Sequence, residues 1–555
     1  MVNRLLVSAV VLSMSSSAFC EDKAAVAPTI DAKRLSQHVK ALSSDAFEGR
    51  GPATPGETRT IEYVTAQMKA AGLQPGGELK NGKRSWTQEV PLVRSEITGS
   101  PKFSVTSAGT NKELRQGEDI AIRAALDGST SVAIAGVPLV FCGYGVKSPE
   151  RQWDDFKSVD LHGKIMVVLI NDPDFEAGKG DFGGKAMTYY GRWTYKYEEG
   201  ARQGAVGVII VHETDPASYG WATVKNSNTN TMFEVVRDHP EAVHPKIEGW
   251  LQRDVAADLF KRAGFDFEAL KKQAQTREFQ PVTLKDTTFS ADFAMTSQVI
   301  TTHNILGRVE GSKRPGETVI YSAHWDHLGV GAADAKGDKI YNGAVDNGTG
   351  TAALIELGRA FAHGARPQRS VVFLNVTAEE RGLLGSEYYA TNPVYPLATT
   401  VADINIDGLD PNGPAHNFTA SGNVRSELLD LMIADAKEGG LVYNPDPHPE
   451  SGGFFRSDHF PFAKRGVPSI SFGSGDDLFA GGKEAGEKAR KDYITNHYHQ
   501  PSDEWQASWT FAGMAHDLPI LFKVGADLAN STQWPNWAAD AEFRAPRDAS
   551  AGERK

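Results

Sequence analysis

From residue 304 to residue 528 the chain repeats one pattern: a short apolar run, then a longer stretch with helical periodicity. Residues 318–323, 370–376, 401–406 and 468–472 read as strands, and residues 349–362, 383–390, 424–437 and 509–528 as the helices that follow them. Regular alternation of this kind leads to an α/β sandwich built on a largely parallel sheet. Ligands of such sheets gather at the carboxyl ends of the strands. The residues just past each run are therefore where chemistry is expected.

Those residues are unusually rich in metal-binding types. They include His324-Trp325-Asp326-His327, Ala378-Glu379-Glu380 and Asn405-Ile406-Asp407, with Gly343-Ala344-Val345-Asp346-Asn347 and Tyr498-His499 falling in loops. Each has an ordinary explanation when taken singly. A histidine at a strand end is usually structural, Asp346 can cap the following helix, and Glu379 and Glu380 suit the first turn of a helix. Tyr498 can be a packed aromatic and His499 a solvated loop residue. Together they form a different picture. Two adjacent carboxylates at a sheet mouth repel unless a cation is near, and an unpaired carboxylate ending a buried strand, as at Asp407, is costly. Imidazole and carboxylate in this mixture suit zinc. The order His, Asp, Glu-Glu, Asp, His is a ligand set for two divalent ions, with one carboxylate left for proton transfer.

The rest of the chain sets bounds. A formal net charge of −12 and the lack of any basic run exclude a nucleic-acid-binding surface. Arg4, the apolar run 5–12 and the small residues up to Ala18 form a signal peptide pattern, too short to span a bilayer. Export to the periplasm or medium is expected, with cleavage near Ala18 or Cys20. Lipid attachment at Cys20 is the lesser alternative, because Phe19 is a poor neighbour for it. Cys142, on an apolar run, reads as a buried core thiol. Helical periodicity covers the region from Asp31, with Leu35, Val39 and Leu42 on one face, and residues 56–71. The middle of the chain changes character: residues 132–145, 164–170 and 205–211 read as strands, 195–204 and 255–263 as helices, and a polar link runs on through about Asp292. This section carries few paired catalytic candidates and reads as an inserted module. No pattern specifies an oligomeric state, and the stretch from about Trp534 reads as loose.

The motifs His324-x-Asp326, Asp346-Asn347, Glu379-Glu380, Asn405-x-Asp407 and Tyr498-His499-x-x-x-Asp503, with Ser457-Asp458-His459-x-Pro461-Phe462, match in order and kind a known family. The chain resembles the co-catalytic dizinc peptidases that include secreted bacterial leucyl aminopeptidases and glutamate carboxypeptidase. The middle module is similar to a protease-associated domain. The resemblance implies a phosphorylase/hydrolase-like α/β fold: a mixed, largely parallel sheet flanked by helices, with an inserted protease-associated β-rich domain. Its boundaries are a signal peptide at 1–20, an N-terminal part of the catalytic domain at 21–115, the insert at 116–290, the dizinc catalytic domain at 291–533 and a loose tail at 534–555. It implies two Zn2+ per chain, one held by His324 and Asp407 and the other by Glu380 and His499, with Asp346 bridging both together with a water. Glu379 is then the general base, Asp326 orients His324, Tyr498 stands ready to donate to an oxyanion, and the Asp346–Asn347 peptide is cis. Asp458 and His459 read as support. Gly408 stands where many aminopeptidase relatives carry methionine, which changes the lining of the first pocket and not the metal set. The implied activity is that of an aminopeptidase on peptides. A carboxypeptidase or dipeptidase would need a cation such as Arg381 or Arg456 for the substrate carboxylate. A single-zinc glutaminyl cyclase is disfavoured by the full ligand set, and a receptor-like binding protein without metals is the alternative of a different class. Residues 473–487 read as a lid or as a disordered loop.

Overall fold

A computed structural model describes residues 29–423 and 425–554. The signal-peptide segment, Cys20 included, lies outside the described residues, as does Val424, the expected first residue of a helix that is observed at Glu427–Glu438. Among the described residues no helix is long and apolar enough to cross a membrane.

The four expected strands are present and adjacent. Arg314–His324 runs parallel to Arg369–Val376 on one side and to Thr400–Ile406 on the other, and Ser469–Ser474 continues the sheet parallel to Thr400–Ile406. Side chains alternate faces along a strand, and the two faces find different partners. Val319, Tyr321, Ala323, Val371 and Phe373 join one core with the helices Ala32–Leu42, Pro55–Ala70, Gly350–His363 and Ala512–Asn530. Ile320, Val372 and Leu374 join another with Tyr389 of Leu384–Thr391 and Phe462 of His459–Lys464. Helices on both faces exclude water from the whole central sheet, so Arg369–Val376 and Thr400–Ile406 are buried at every residue.

The middle of the chain builds its own parallel set from Ser131–Phe141, Ile165–Leu169, Gly207–His212 and Ile247–Gln252, around separate apolar cores. Cys142 lies in one of these cores, fully buried. The expected polar link through Asp292 is instead part of a long strand, Val282–Val309. It pairs antiparallel with another long strand, Thr87–Ser107, and its far end pairs with Arg369–Val376. The reason lies in its period of two. Phe289, Ala291, Phe293 and Met295 are buried while the polar residues between them face outward, so a half-exposed strand has the composition of a linker. This ribbon joins the two parallel sets into one continuous sheet.

Two other expectations are corrected. Residues 473–487 are not a disordered loop: the strand extends to Ser474, and the helix Gly482–Asn496 begins soon after. The tail after Trp534 is packed. Trp537 is buried and donates to the Gly466 carbonyl at 3.1 Å, and the buried Arg547 donates to the carbonyls of Thr400 and Val401 at 2.9 and 3.1 Å. A buried indole and a buried guanidinium donating to main-chain carbonyls hold a stretch that looks merely polar in sequence.

Candidate metal centre

His324 is the last residue of its strand and is 1% exposed. Its Nε2 lies 3.1 Å from Asp407 Oδ1 and 3.3 Å from Asp346 Oδ1. Its other nitrogen, Nδ1, is 3.1 Å from the main-chain carbonyl of Asp326 and 3.9 Å from the Asp326 carboxylate. The support expected from the Asp326 side chain is thus supplied by its backbone. The carboxylate instead accepts the Glu379 N–H at 3.1 Å, tying the two loops together. Asp407 follows its strand directly, and its second oxygen accepts from Ser457 Oγ at 2.7 Å, which leaves Oδ1 aimed at His324.

Asp346 is delivered by a tightly specified loop. Gly343 adopts φ +58°, and a Cβ there would stand 2.2 Å from the Asp346 carbonyl and 2.6 Å from the His327 ring, so only glycine fits. The Asp346–Asn347 peptide is cis, as the family resemblance implies. Asp503, buried, accepts the N–H groups of Val345 and Asp346 at 3.1 Å each. The Asn347 side chain donates to the Ile406 carbonyl at 2.9 Å and accepts from Gly408 at 3.1 Å. The loop is therefore locked to the end of the strand that carries Asp407.

On the other side of Asp346, His499 Nε2 lies 3.2 Å from Asp346 Oδ2 and 3.2 Å from Glu380 Oε2. A residue given no role at the level of sequence stands beside them. His327, fully buried, places Nδ1 2.8 Å from Glu380 Oε1 and 3.9 Å from Asp346 Oδ2. The signal was its position three residues after His324. Neither ring nitrogen of His327 nor Glu380 Oε1 has a hydrogen-bond partner despite that close approach. Buried polar atoms are seldom left unpaired, and donor atoms crowded together without hydrogen bonds fit a shared cation. The ligand atoms of His324, Asp346 and Asp407 all lie within 4.8 Å of one another, as do those of His327, Asp346 and Glu380. Two donor sets share Asp346, and their imidazole–carboxylate chemistry fits zinc. Ala378 and His499, neither a glycine, adopt φ +53° and +56°. Strain of this kind costs roughly 1–3 kcal/mol per residue and clusters where function requires it.

Glu379 differs from its neighbour. The Glu380 oxygens face His327 and His499, whereas the Glu379 carboxylate forms no ion pair with either. Burial holds its carboxyl well above the usual range; His324 opposes this, and Glu380, Asp407 and Asp458 reinforce it. At His324 burial works against the charge, but Glu379, Asp407 and Asp346 outweigh it and hold the imidazole well above its ordinary value. So dense a carboxylate pocket must be balanced by positive charge, from imidazolium or from cations. Tyr498 stacks on His499 with ring centroids 3.9 Å apart. Tyr498 is 37% exposed, yet partial loss of water around the phenol, with Asp346, Glu380 and Glu379 close by, pushes its pKa up, so the hydroxyl keeps its proton.

Asp458 and His459 lie behind the centre. Asp458 accepts from Ser386 Oγ at 2.6 Å, and His459 sits edge-on to Phe454 at 4.5 Å. Burial alone pushes the His459 pKa down to about 3. A neutral buried imidazole stabilises the fold fully above its unfolded value of about 6.5, and that contribution fades as pH falls toward the folded value. Urea unfolding should therefore lose about 1.4 kcal/mol per pH unit from this group below pH ~6.5. The His459→Leu variant should show a shallower loss, and an unchanged slope would refute this. Both candidate cations are exposed, and Arg381 lies over the Phe233 ring at 5.3 Å.

Residues 304–520 match peptidase family M28. A probable zinc metalloprotease of Pyrenophora tritici-repentis (strain Pt-1C-BFP) is 32% identical over 121 residues, 22% of this chain and 27% of that protein. The probable glutamate carboxypeptidase LAMP1 of Arabidopsis thaliana is 25% identical over 300 residues, 53% of this chain and 38% of that protein. The chain thus spans well under half the length of these curated relatives. Among solved structures, an aminopeptidase from Aneurinibacillus sp. strain AM-1 is 18% identical with a TM-score of 0.48, over 91% of this chain and 96% of that one.

Proposed function

We propose, for a chain whose residues 304–520 match peptidase family M28, that it is an exported dizinc exopeptidase, an aminopeptidase acting on peptides. The observation that carries this reading is the pair of donor sets meeting at Asp346 with Glu379 free beside them. His324, Asp407 and Asp346 would hold one ion; Glu380, His499 and Asp346 would hold the other, with His327 packed against them. When bound, paired zinc ions supply Lewis acidity to a peptide carbonyl and to water.

The remaining work falls to side chains. Glu379, which pairs with neither imidazole facing Glu380, takes the proton of the attacking water and hands it to the leaving amine. Tyr498, protonated and at the rim, can donate to the developing oxyanion. Asp503 and Asn347 keep the Asp346 loop still while charge shifts. The insert, proposed as a protease-associated domain, flanks the cleft: Arg237 on it pairs with Glu387 at 3.1 Å, and Glu198 with Lys464 at 2.8 Å. An exposed Arg456 near the cleft keeps the carboxypeptidase variant of this reading open to test.

The deciding experiment joins metal analysis to a substrate screen. The purified chain should bind about two zinc ions, as a paired site requires. It should release amino-terminal residues from unblocked peptides, lose activity to chelator and regain it with zinc. Activity on amino-blocked peptides alone would turn the reading to a carboxypeptidase. A chain that takes up no zinc would be a binding protein on the same scaffold.

A further inference from the structure

The segment matched to the peptidase family begins at residue 304, yet a residue far upstream is woven into the centre. Arg50 closes the short turn Asp45–Arg50 and is 1% exposed. Its guanidinium donates only to main-chain carbonyls: Nε to Trp325 at 2.8 Å, Nη1 to Leu42 at 2.9 Å and Asn342 at 2.6 Å, and Nη2 to Gly343 at 2.7 Å. Its own carbonyl accepts the His327 N–H at 3.3 Å. Trp325 lies between His324 and Asp326, and Asn342 and Gly343 open the loop that delivers Asp346. One side chain therefore spans two of the loops that supply ligands, those bearing His324 and Asp346.

The neighbouring residues show how closely this turn is fitted. Gly49 adopts φ +64°, and a Cβ there would stand 2.5 Å from the Tyr341 carbonyl and 2.6 Å from that of Gly329. Glu57 anchors the next helix by accepting from Thr302 Oγ1 at 2.8 Å and meeting His303 Nδ1 at 2.8 Å. The His303 carbonyl in turn accepts from the Trp325 indole at 2.9 Å. A guanidinium buried without a carboxylate on its fork is costly. Asp503, Asp346, Asp326 and Glu380 act on it through space and offset that cost, though burial still lowers its pKa to about 10. A planar fork of donors in fixed geometry is what distinguishes arginine from lysine at such a place.

We propose that Arg50 is a positioning residue of the metal centre, its fork setting the separation between the loop bearing His324 and the loop bearing Asp346. This rests on the metal-centre reading above. It is tested with Arg50→Lys and Arg50→Gln, and with Arg369→Lys as a control. Arg369 is equally buried and donates to the carbonyls of Leu528 and Gln533 at 2.9 and 2.8 Å, but at the opposite end of its strand. Thermal stability, zinc affinity, the visible spectrum of the cobalt(II)-loaded protein, and kcat and KM are measured on each. Residues that orient ligands typically change metal affinity or activity about 10–100-fold. Arg50→Lys should weaken zinc binding within that range, shift the cobalt spectrum, and lower kcat far more than it changes KM. Arg369→Lys should lose stability alone. The proposal is overturned if Arg50→Lys keeps the wild-type affinity and spectrum. It is also overturned if both Arg50 variants fail to fold while Arg369→Lys folds, since the role is then one of folding. A wild-type chain that binds neither zinc nor cobalt would sink the metal-centre reading itself, before any variant is compared.

Discussion

Replacing Glu379 by glutamine is expected to lower kcat by about 10³–10⁴-fold, the upper part of the range for loss of a general acid–base group, while zinc content stays as in the wild type. That loss corresponds to roughly 4–5.5 kcal/mol of transition-state stabilisation. The separation of the two effects is the point of the test. Glutamine keeps the shape of glutamate but cannot take a proton. Glu379 makes no ion pair with the imidazoles that face Glu380, so the donor sets should be undisturbed. Its main-chain N–H still reaches Asp326, so the loop should keep its place. Glu380→Gln is the converse: it removes charge from oxygens that face His327 and His499, and should cost metal before it costs chemistry. A Glu379→Gln protein with activity within about tenfold of wild type, where a lost base removes at least a hundredfold, would show that another group moves the proton. One that loses zinc would show that the two glutamates have been given each other's roles.

The strand ends were readable because two independent regularities coincide there. The apolar runs locate the sheet, and His324, Glu380 and Asp407 each stand within a few residues of a run's end. Asp346 and His499 come from loops, and motif order, not periodicity, points to them. What stayed hidden depends on geometry that spacing does not encode. His327 reads as a neighbour of His324, and only the folded loop turns its ring toward Glu380. Asp326 supports His324 through its carbonyl, an atom every residue has. Arg50 carries no motif, and its contacts span sequence separations of 275 and 293 residues. In the fold, the part of Val282–Val309 up to Asp292 reads as a link because half its residues face water, and the tail after Trp534 reads as loose because its order comes from a few buried groups rather than an apolar run.

Removing Asp346 should be the most severe change available, because it alone belongs to both donor sets. Asp346→Ala is expected to abolish measurable turnover and to leave the protein with less than about one zinc per chain, where a paired site holds about two. Zinc stabilises a folded chain by RT ln(1 + [L]/Kd), about 2.7 kcal/mol at a hundredfold excess over Kd. The rise in melting temperature on adding zinc to the metal-free wild type should thus largely vanish in the variant. Asp346→Asn separates charge from shape. One amide oxygen can serve one donor set, while the amide nitrogen turned toward His499 or His324 has no lone pair to offer. Zinc content should then fall toward one ion per chain, with the asparagine oxygen favouring whichever set keeps its other ligands better fixed. That set is the one holding Asp407, whose second oxygen is pinned by Ser457 at 2.7 Å. Two tightly held zinc ions in Asp346→Asn would mean that the sets do not depend on a shared carboxylate.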